Sequence, residues 1–487
     1  MVKLLPLTPF PSPTQVGRGV KRRSLLRIIH YCFILVFTFA AVGVRADEQN
    51  PFGVIEGFWL PDEACELGAG WERIIFDWAQ HQPNGTDDWH TLNVDDRWLK
   101  AANHCGRDVV AVVKHTPAWA TDGDAMVGVP RGLYLPVDDP NNLWANFMRR
   151  AAAYYDSRGV DRFIIWNEPD IEAGTYGYEF GGTLEDYFQL LRVAYLAAKQ
   201  GNPRAQINIA GTTYWHDVNE GRRLYLDRLL ERITSDPEAA ANGYYFDAVN
   251  LHIYFRTETV YQIVSETRAL LDRYGMGDKA IWIGETNAAP NLDPGWLVTR
   301  PNWQIDLDQQ AAFLVQAAAL GLSAGADSIG VYKLFDQALP AGAESFGILR
   351  PDGTRRPAFD TWRMVIDRFS DVERGLFVRS DTADVVRLAH RSGLETWVVW
   401  ARGDVPAQIA IGATSEKAYL ISQTGSIMSI RPFQGRYMLS LPAAQCNRVD
   451  GCPVGGHVTL LVQGAGTTQV EELTAAGSFP LAVDWGE

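Results

Sequence analysis

The chain has no basic excess. Its 44 Lys and Arg face 58 Asp and Glu, a formal charge of −14 over 487 residues. That balance offers nothing to neutralise a phosphate backbone, which argues against nucleic-acid binding. Long apolar runs are lacking too. The run Tyr31 to Val44 has 14 residues, interrupted by Thr38 and Gly43, and falls short of the ~20 that a bilayer-spanning helix needs. Cysteines number five, and no Cys/His spacing resembles a zinc site. Internal repeats and low-complexity stretches are missing as well. With 47% hydrophobic and 21% charged residues, the composition excludes collagen-like, wholly disordered and polytopic membrane chains. What is plentiful is aromatic: 16 Trp, 18 Tyr and 21 Phe. Such residues build cores and interfaces, and they also stack on neutral sugars.

Lys21, Arg22, Arg23 and Arg27 precede the apolar run, and Val44-Arg45-Ala46 follows it. A basic flank, a short apolar centre and a small-residue exit predict a secretory signal over 1–46, cleaved after Ala46, with no membrane attachment afterwards. The stretch before Lys21, with Pro6, Pro9, Pro11 and Pro13, is read as preceding the true start. Seven bases and no acids lie in 1–46, so the exported chain carries 58 acids against 37 bases, a net −21. Cys32 leaves with the signal. The remaining Cys65, Cys105, Cys446 and Cys452 allow two disulfides in an oxidising compartment, with three connectivities. Cys446 and Cys452 flank the short loop Asn-Arg-Val-Asp-Gly and close it naturally. That leaves Cys65 with Cys105, for which buried free thiols are the alternative.

From residue 47 to 370, short β-rich runs alternate with amphipathic ones. The strands are predicted at Phe52–Glu56, Glu72–Trp78, Asp108–His115, Arg162–Asn167, Gln206–Gly211, Ala248–Tyr254, Ala280–Glu285 and Ser328–Leu334. Helical spacing fills the intervals, as at Leu184, Phe188, Leu191 and Tyr195. Eight such units predict a (β/α)8 TIM barrel. A doubly wound open sheet is the alternative, but no Gly-rich phosphate loop follows the first strand. Residues 371–487 lose the helical period. Short runs from Asp384–His390 to His457–Val462, separated by Gly, Pro, Asp and Ser, predict a β-sandwich-like accessory domain. Its tail from Gly464 reads as irregular.

Functional groups of such a barrel gather at the carboxyl ends of its strands. The fourth run ends Ile164-Ile165-Trp166-Asn167-Glu168-Pro169-Asp170, and the seventh ends Ile281-Trp282-Ile283-Gly284-Glu285-Thr286-Asn287. Strands four and seven lie on opposite sides of an eight-strand barrel, so Glu168 and Glu285 can face each other across its mouth. Two facing carboxyls suit glycosidic cleavage, one protonated to serve the leaving oxygen and one ionised to attack. A gap of about 5.5 Å favours a covalent intermediate, whereas ~6.5–9.5 Å admits a water. Like charges at that range push the two pKa values apart.

Trp166-Asn167-Glu168-Pro169 and Gly284-Glu285 resemble the pattern of glycoside hydrolase clan A, the retaining (β/α)8 enzymes. Gly70-Trp71-Glu72-Arg73-Ile74-Ile75-Phe76-Asp77-Trp78 and Thr116-Pro117-Ala118-Trp119-Ala120 are similar in style to family 39 and its cellulase-like neighbours. The resemblance implies Glu168 as acid/base, Glu285 as nucleophile, and Asn167 as a partner of the sugar 2-hydroxyl. It implies that Arg73 supports the nucleophile, and that His252 and Tyr254 lie beside it on one face of strand six. His115 and Trp119 would shape a sugar subsite, and Trp296 and Trp303 would serve as stacking platforms. Asp170, Glu172 and Glu179 read as solvated loop charges. Clan members carry a Trp at the end of strand eight. Here the run is Gly330-Val331-Tyr332-Lys333-Leu334-Phe335-Asp336, so Tyr332 or Phe335 would be the platform, and an inward Lys333 would suit an acidic sugar.

The expectation is a secreted retaining glycoside hydrolase for a β-linked poly- or oligosaccharide. It needs neither cofactor nor metal, because carboxylates and water supply both half-reactions. The competing readings are a carbohydrate-binding or cell-surface protein on a lapsed barrel, a transglycosylase, and an α-L-furanosidase- or iduronidase-like enzyme.

Overall fold

The computed structural model describes residues 50–474 and 477–481, the last stretch as backbone over 477–480. The signal expected over 1–46 lies outside the described residues. Eight parallel strands close a barrel in sequential order: β1 Phe52–Ile55, β2 Trp71–Asp77, β3 Asp108–Lys114, β4 Arg162–Ile165, β5 Gln206–Thr212, β6 Ala248–Tyr254, β7 Ala280–Asn287 and β8 Ser328–Val331. Helices follow on the outside, among them Leu143–Asp156, Leu184–Gly201, Thr257–Arg273 and Leu307–Ser323. The TIM barrel expected from the sequence is therefore the fold, with the fourth and eighth strands shorter than their apolar runs.

Alternation along each strand divides the core in two. Outward residues such as Ile74, Phe76, Val109, Phe163 and Ile281 pack under the helices. Inward ones, among them Ile55, Trp71, Val110, Val112, Ile164, Ala248 and Trp282, plug the barrel. The indoles of Trp71 and Trp282 meet inside it at 5.0 Å. Glycine is required opposite them. A Cβ at Gly53 or Gly330 would lie 2.1 or 2.4 Å from the Trp71 ring, so β1 and β8 must leave that space empty. The large plug lies below the carboxyl ends, and the polar groups of the mouth stand on it.

Beyond the barrel come two antiparallel sheets. The six-stranded one has the order β14-β13-β16-β11-β10-β9, from β9 Val372–Arg379, β10 Ala383–His390, β11 Leu394–Ala401, β13 Ala418–Ser422, β14 Ile427–Ile430 and β16 Thr459–Gly464. The four-stranded one runs β15-β12-β17-β18, from β12 Ala407–Gly412, β15 Arg436–Leu441, β17 Val470–Thr474 and β18 Gly477–Leu481. The tail expected to be irregular thus supplies two paired strands. Its short, charge-broken runs hide that role, because pairing, of β17 with β12 and of β18 with β17, rather than alternation defines them. A separate apolar cluster containing Trp397, Ile409, Tyr437 and Val470 lies between the sheets.

Helix Leu307–Ser323 carries barrel and sheets together. It is buried almost all round, as its continuous apolar surface requires. Its Gln309 and Gln316 donate side-chain amides to Gln445 O and Gly456 O, both at 2.9 Å. Disulfides join Cys65 to Cys105 and Cys446 to Cys452, so the Cys65 and Cys105 thiols are bonded rather than free. Among the described residues, no helix is long and apolar enough to cross a membrane.

Candidate active site

Two local irregularities aim the two glutamates. With Trp282 inside the barrel, strict alternation would send Gly284 inward and Glu285 outward. The ladder between β6 and β7 shifts here: Leu251 pairs with Ile283, but His252 pairs with Glu285. Gly284 is the extra residue, and it faces inward as well, since a Cβ there would lie 1.9 Å from Asn250 Oδ1. This bulge turns Glu285 into the mouth, a use of bulges common beside active sites. On β4 the device is different. The strand stops at Ile165, and Trp166 and Glu168 adopt left-handed backbone, with φ of 72° and 41°. Such residues cost on the order of 1–3 kcal/mol each and persist only when their surroundings fix them. The fixing contacts are present. Trp166 Nε1 donates to Glu179 O at 2.9 Å, and Glu168 N donates to Gly211 O at 3.1 Å. Asp170 Oδ2 accepts from both Thr213 N and Thr213 Oγ1 at 2.8 Å.

The carboxylates meet. Oxygens of Glu168 and Glu285 and a ring nitrogen of His252 lie within 4.8 Å of one another. Arg73, from β2, bonds Glu285 Oε1 through its guanidinium, and the Tyr254 hydroxyl donates to Glu285 Oε2. His252 Nδ1 lies 2.6 Å from Glu168 Oε1 and 3.6 Å from Glu285 Oε2. Burial by itself would raise the pKa of Glu285, but the charges of Arg73 and His252 and the two hydrogen bonds outweigh it and hold the group at about 2. Burial likewise opposes the imidazolium of His252, yet Glu285 and Glu168 overcome that and raise its pKa. Burial, then the charge of Glu285, pushes Tyr254 well above the ordinary phenol range, so it stays a donor.

This trio is also the one group among the described residues with ligand atoms close enough for a metal ion. Its chemistry fits one poorly. Both Glu285 oxygens are already held, one by a fixed cation, and a metal would face the Arg73 charge.

A cavity of about 540 Å³ opens over Glu168, His252 and Tyr254. Its walls include Thr213, Trp215, Asn219, Phe255, Arg256 and Trp303. Phe255 and Trp303 stack nearly parallel, 5.3 Å apart at 13°. Tyr332 packs edge-on to Tyr254 at 6.0 Å, and Phe346 does so at 5.4 Å.

Of the residues singled out in the sequence, Glu168, Glu285, Arg73, His252 and Tyr254 form one contact network, with Tyr332 behind it and Trp303 in the cavity wall. Asn167 is half-buried beside Glu168. Others are engaged elsewhere. His115 Nδ1 bonds Asp77 Oδ2 at 2.8 Å, Trp119 Nε1 donates to Gln82 O at 2.6 Å, and Trp296 Nε1 donates to Ala343 O at 2.8 Å. None of these three lines the cavity. Lys333 gives its ammonium to Glu56 at 2.8 Å and Asp336 at 3.4 Å, so its charge is answered within the fold and not offered to an acidic sugar. Of the three loop charges, Asp170 is buried and Glu179 pairs with the buried Lys114, whereas Glu172 is exposed to solvent and pairs with Arg222 there. Sequence reasoning does not pick out Trp215, Asn219, Phe255 and Arg256. Phe255-Arg256 directly continue the His252-Ile253-Tyr254 strand end, and that continuity is the signal that could have found them.

Two predictions arise here. A Cβ at Gly211 would lie 2.0 Å from His252 Nε2, so Gly211→Ala must displace the imidazole from both carboxylates. Displacements of about 1 Å at such centres cost about 100-fold, and kcat/KM for any cleaved glycoside should fall by that order. The second concerns Arg73. Among the groups that depress Glu285, that charge is the largest, so the ionised form persists far into acid. Arg73→Gln should move the acid limb of the kcat/KM–pH profile upward, toward the ordinary glutamate value near 4.3, by at least about one pH unit. An unmoved limb would show that Arg73 does not govern this ionisation.

The fold and site define a closed parallel barrel with paired carboxylates at its carboxyl mouth. No protein-family model matches the chain, and no curated protein matches it either. Solved structures do. A family 39 glycoside hydrolase from the gut symbiont Bacteroides cellulosilyticus WH2 is 14% identical, with a TM-score of 0.64 over 85% of this chain and 81% of that one. A GH39 β-xylosidase from Caulobacter crescentus gives 15% identity and 0.56 over 86% and 96%. A GH30 endoxylanase from Clostridium papyrosolvens C71 gives 13% and 0.56 over 86% and 97%. At these identities the likeness is one of fold.

Proposed function

We propose that the protein is a retaining glycoside hydrolase that cleaves a β-linked poly- or oligosaccharide by double displacement. The observation that carries this reading is that an oxygen of Glu168 and an oxygen of Glu285 lie within 4.8 Å of each other, which favours the close carboxyl pair of direct attack over the wider pair that admits a water. Glu285, held ionised by Arg73 and Tyr254, attacks the anomeric carbon. Glu168 gives its proton to the departing oxygen, with His252 on its Oε1 orienting that carboxyl. Water, deprotonated by Glu168, then releases the sugar with its original configuration. The contacts that keep Glu285 ionised also make it the better leaving group in this second step, because its charge returns to Arg73. The fold likeness to a β-xylosidase and an endoxylanase supports a neutral β-linked substrate. The two disulfides and the leader pattern over 1–46 support export. The β-rich part, 371–487, is proposed as a stabiliser of the catalytic barrel, 47–370, which its bonds to helix Leu307–Ser323 support.

A panel of aryl β-glycosides tests this. Release of aryl alcohol from at least one sugar, such as the xyloside or glucoside, is the expected outcome. No release from any of them, together with measurable binding of the parent oligosaccharides, would favour the carbohydrate-binding reading.

A further inference from the structure

A second cavity, of about 780 Å³, is larger than the one over Glu168. It is built by the loop that follows β3, from Thr121 to Leu135, and is closed on its far side by Tyr178 and Gly181 from the loop after β4. Both loops leave the carboxyl end of the barrel, so the cavity opens on the catalytic face. Gly181 N donates to Val127 O at 2.8 Å, which staples the two loops together. A smaller cavity of about 330 Å³ shares Tyr178 and Gly181 with it, and its wall runs on through Pro169–Ala173 to Arg222. Pro169 is the residue after Glu168. The position of a Cβ on Gly177 lies 3.8 Å from Glu168 Oε2, so Tyr178 starts one residue away from the acid/base. Tyr176, in the same loop, is fully exposed, and Tyr134 is 57% exposed while its hydroxyl is fixed on Asp186 at 2.7 Å.

We infer that these cavities form one cleft, and that the Thr121–Leu135 cavity binds further sugar residues of a linear, uncharged chain on the leaving-group side of the scissile bond. This inference rests on the proposed function and deepens it to endo-cleavage of a polysaccharide. The side follows from chemistry. A general acid must touch the leaving oxygen, and the chain that walls the smaller cavity passes beside Glu168 at Pro169 and Gly177, while Glu285 faces Arg73 and Tyr254. The volume falls within the ~300–1,000 Å³ of pockets that bind small molecules, room for a short stretch of sugar chain. The wall chemistry points to neutral sugar. The charge of Arg131 is answered by Asp122 at 2.8 Å, and with Asp124 also in the wall the cavity has no net positive charge to draw a uronate. Tyr134 and Tyr178 present ring surface of the kind that stacks on sugar faces.

The test uses the full chain and two probes: the aryl β-glycoside that it cleaves best, and linear β-linked oligosaccharides of two to six units of the same sugar. In the parent protein kcat/KM should rise with each unit beyond the second. Tyr178→Ala and Tyr134→Ala should lower kcat/KM on the longest oligosaccharide about tenfold more than on the aryl glycoside. Tyr178→Phe, which keeps the ring, should restore the dependence on chain length. Aryl hydrolysis with no gain on longer chains, or equal losses on both probes, would overturn the cleft and leave the catalytic reading standing. No hydrolysis of either probe would overturn both.

Discussion

Glu285→Ala should lower hydrolysis of an aryl β-glycoside by at least about 10,000-fold, the scale on which enzymes lose a covalent nucleophile. The size follows from the chemistry of the site. With the carboxylate gone, no group on that face of the sugar can form the glycosyl ester, and Arg73 and His252 face each other without the anion that both address. The truncated side chain also provides a control. The guanidinium of Arg73 and the hydroxyl of Tyr254 are bonded to the oxygens that this variant removes, so a small anion such as azide can bind between them. It attacks the anomeric carbon from the face that Glu285 uses, and the product should be the α-glycosyl azide. Azide-dependent turnover also demonstrates that the variant is folded, which matters because an unpaired buried Arg costs about 3–5 kcal/mol. Turnover without azide near the parent rate would remove Glu285 from the mechanism.

Glu168→Ala should give the complementary pattern. General acid catalysis is worth roughly 100- to 10,000-fold, and that loss should appear on alkyl and oligosaccharide leaving groups. A dinitrophenyl leaving group needs no proton, so its first step should be nearly as fast as in the parent, and the glycosyl-enzyme should accumulate as a burst. Azide now meets an intact Glu285 ester from the opposite face, and the expected product is the β-glycosyl azide. Opposite anomers from the two variants would separate nucleophile from acid/base without reference to any other protein. Equal losses across all leaving groups would mean that Glu168 positions the sugar and does not protonate it.

The barrel and its two glutamates are legible in the amino-acid sequence. The eight strands can be read because each is a short apolar run, and the glutamates stand out because they end two of them. The way each glutamate reaches the mouth is not legible there. A bulge at Gly284 and left-handed backbone at Trp166 and Glu168 are backbone events, and a hydropathy pattern records only side chains. The aromatic walls read unevenly for a related reason. Trp119 and Trp296 sit in loops, where an indole follows the nearest free carbonyl, Gln82 O and Ala343 O respectively. Trp303 instead stacks on Phe255, and sequence spacing cannot distinguish these outcomes. Lys333 shows the same limit for charge. Its partners Glu56 and Asp336 come from the end of β1 and from the loop after β8, and only closure of the barrel brings Glu56 to it. The tail strands β17 and β18 are defined by pairing that starts from a distant strand, β12, some 60 residues away.

The central claim is that a carboxylate, and not water, makes the first bond to the sugar. Proton NMR of the first-formed product answers it directly. A cleaved aryl β-glycoside, followed in deuterated buffer over the first turnovers, should show the β-anomer of the free sugar appearing first, with the α-anomer growing in only as the sugar mutarotates. Initial release of the α-anomer would contradict double displacement by Glu285 and the reading built on it.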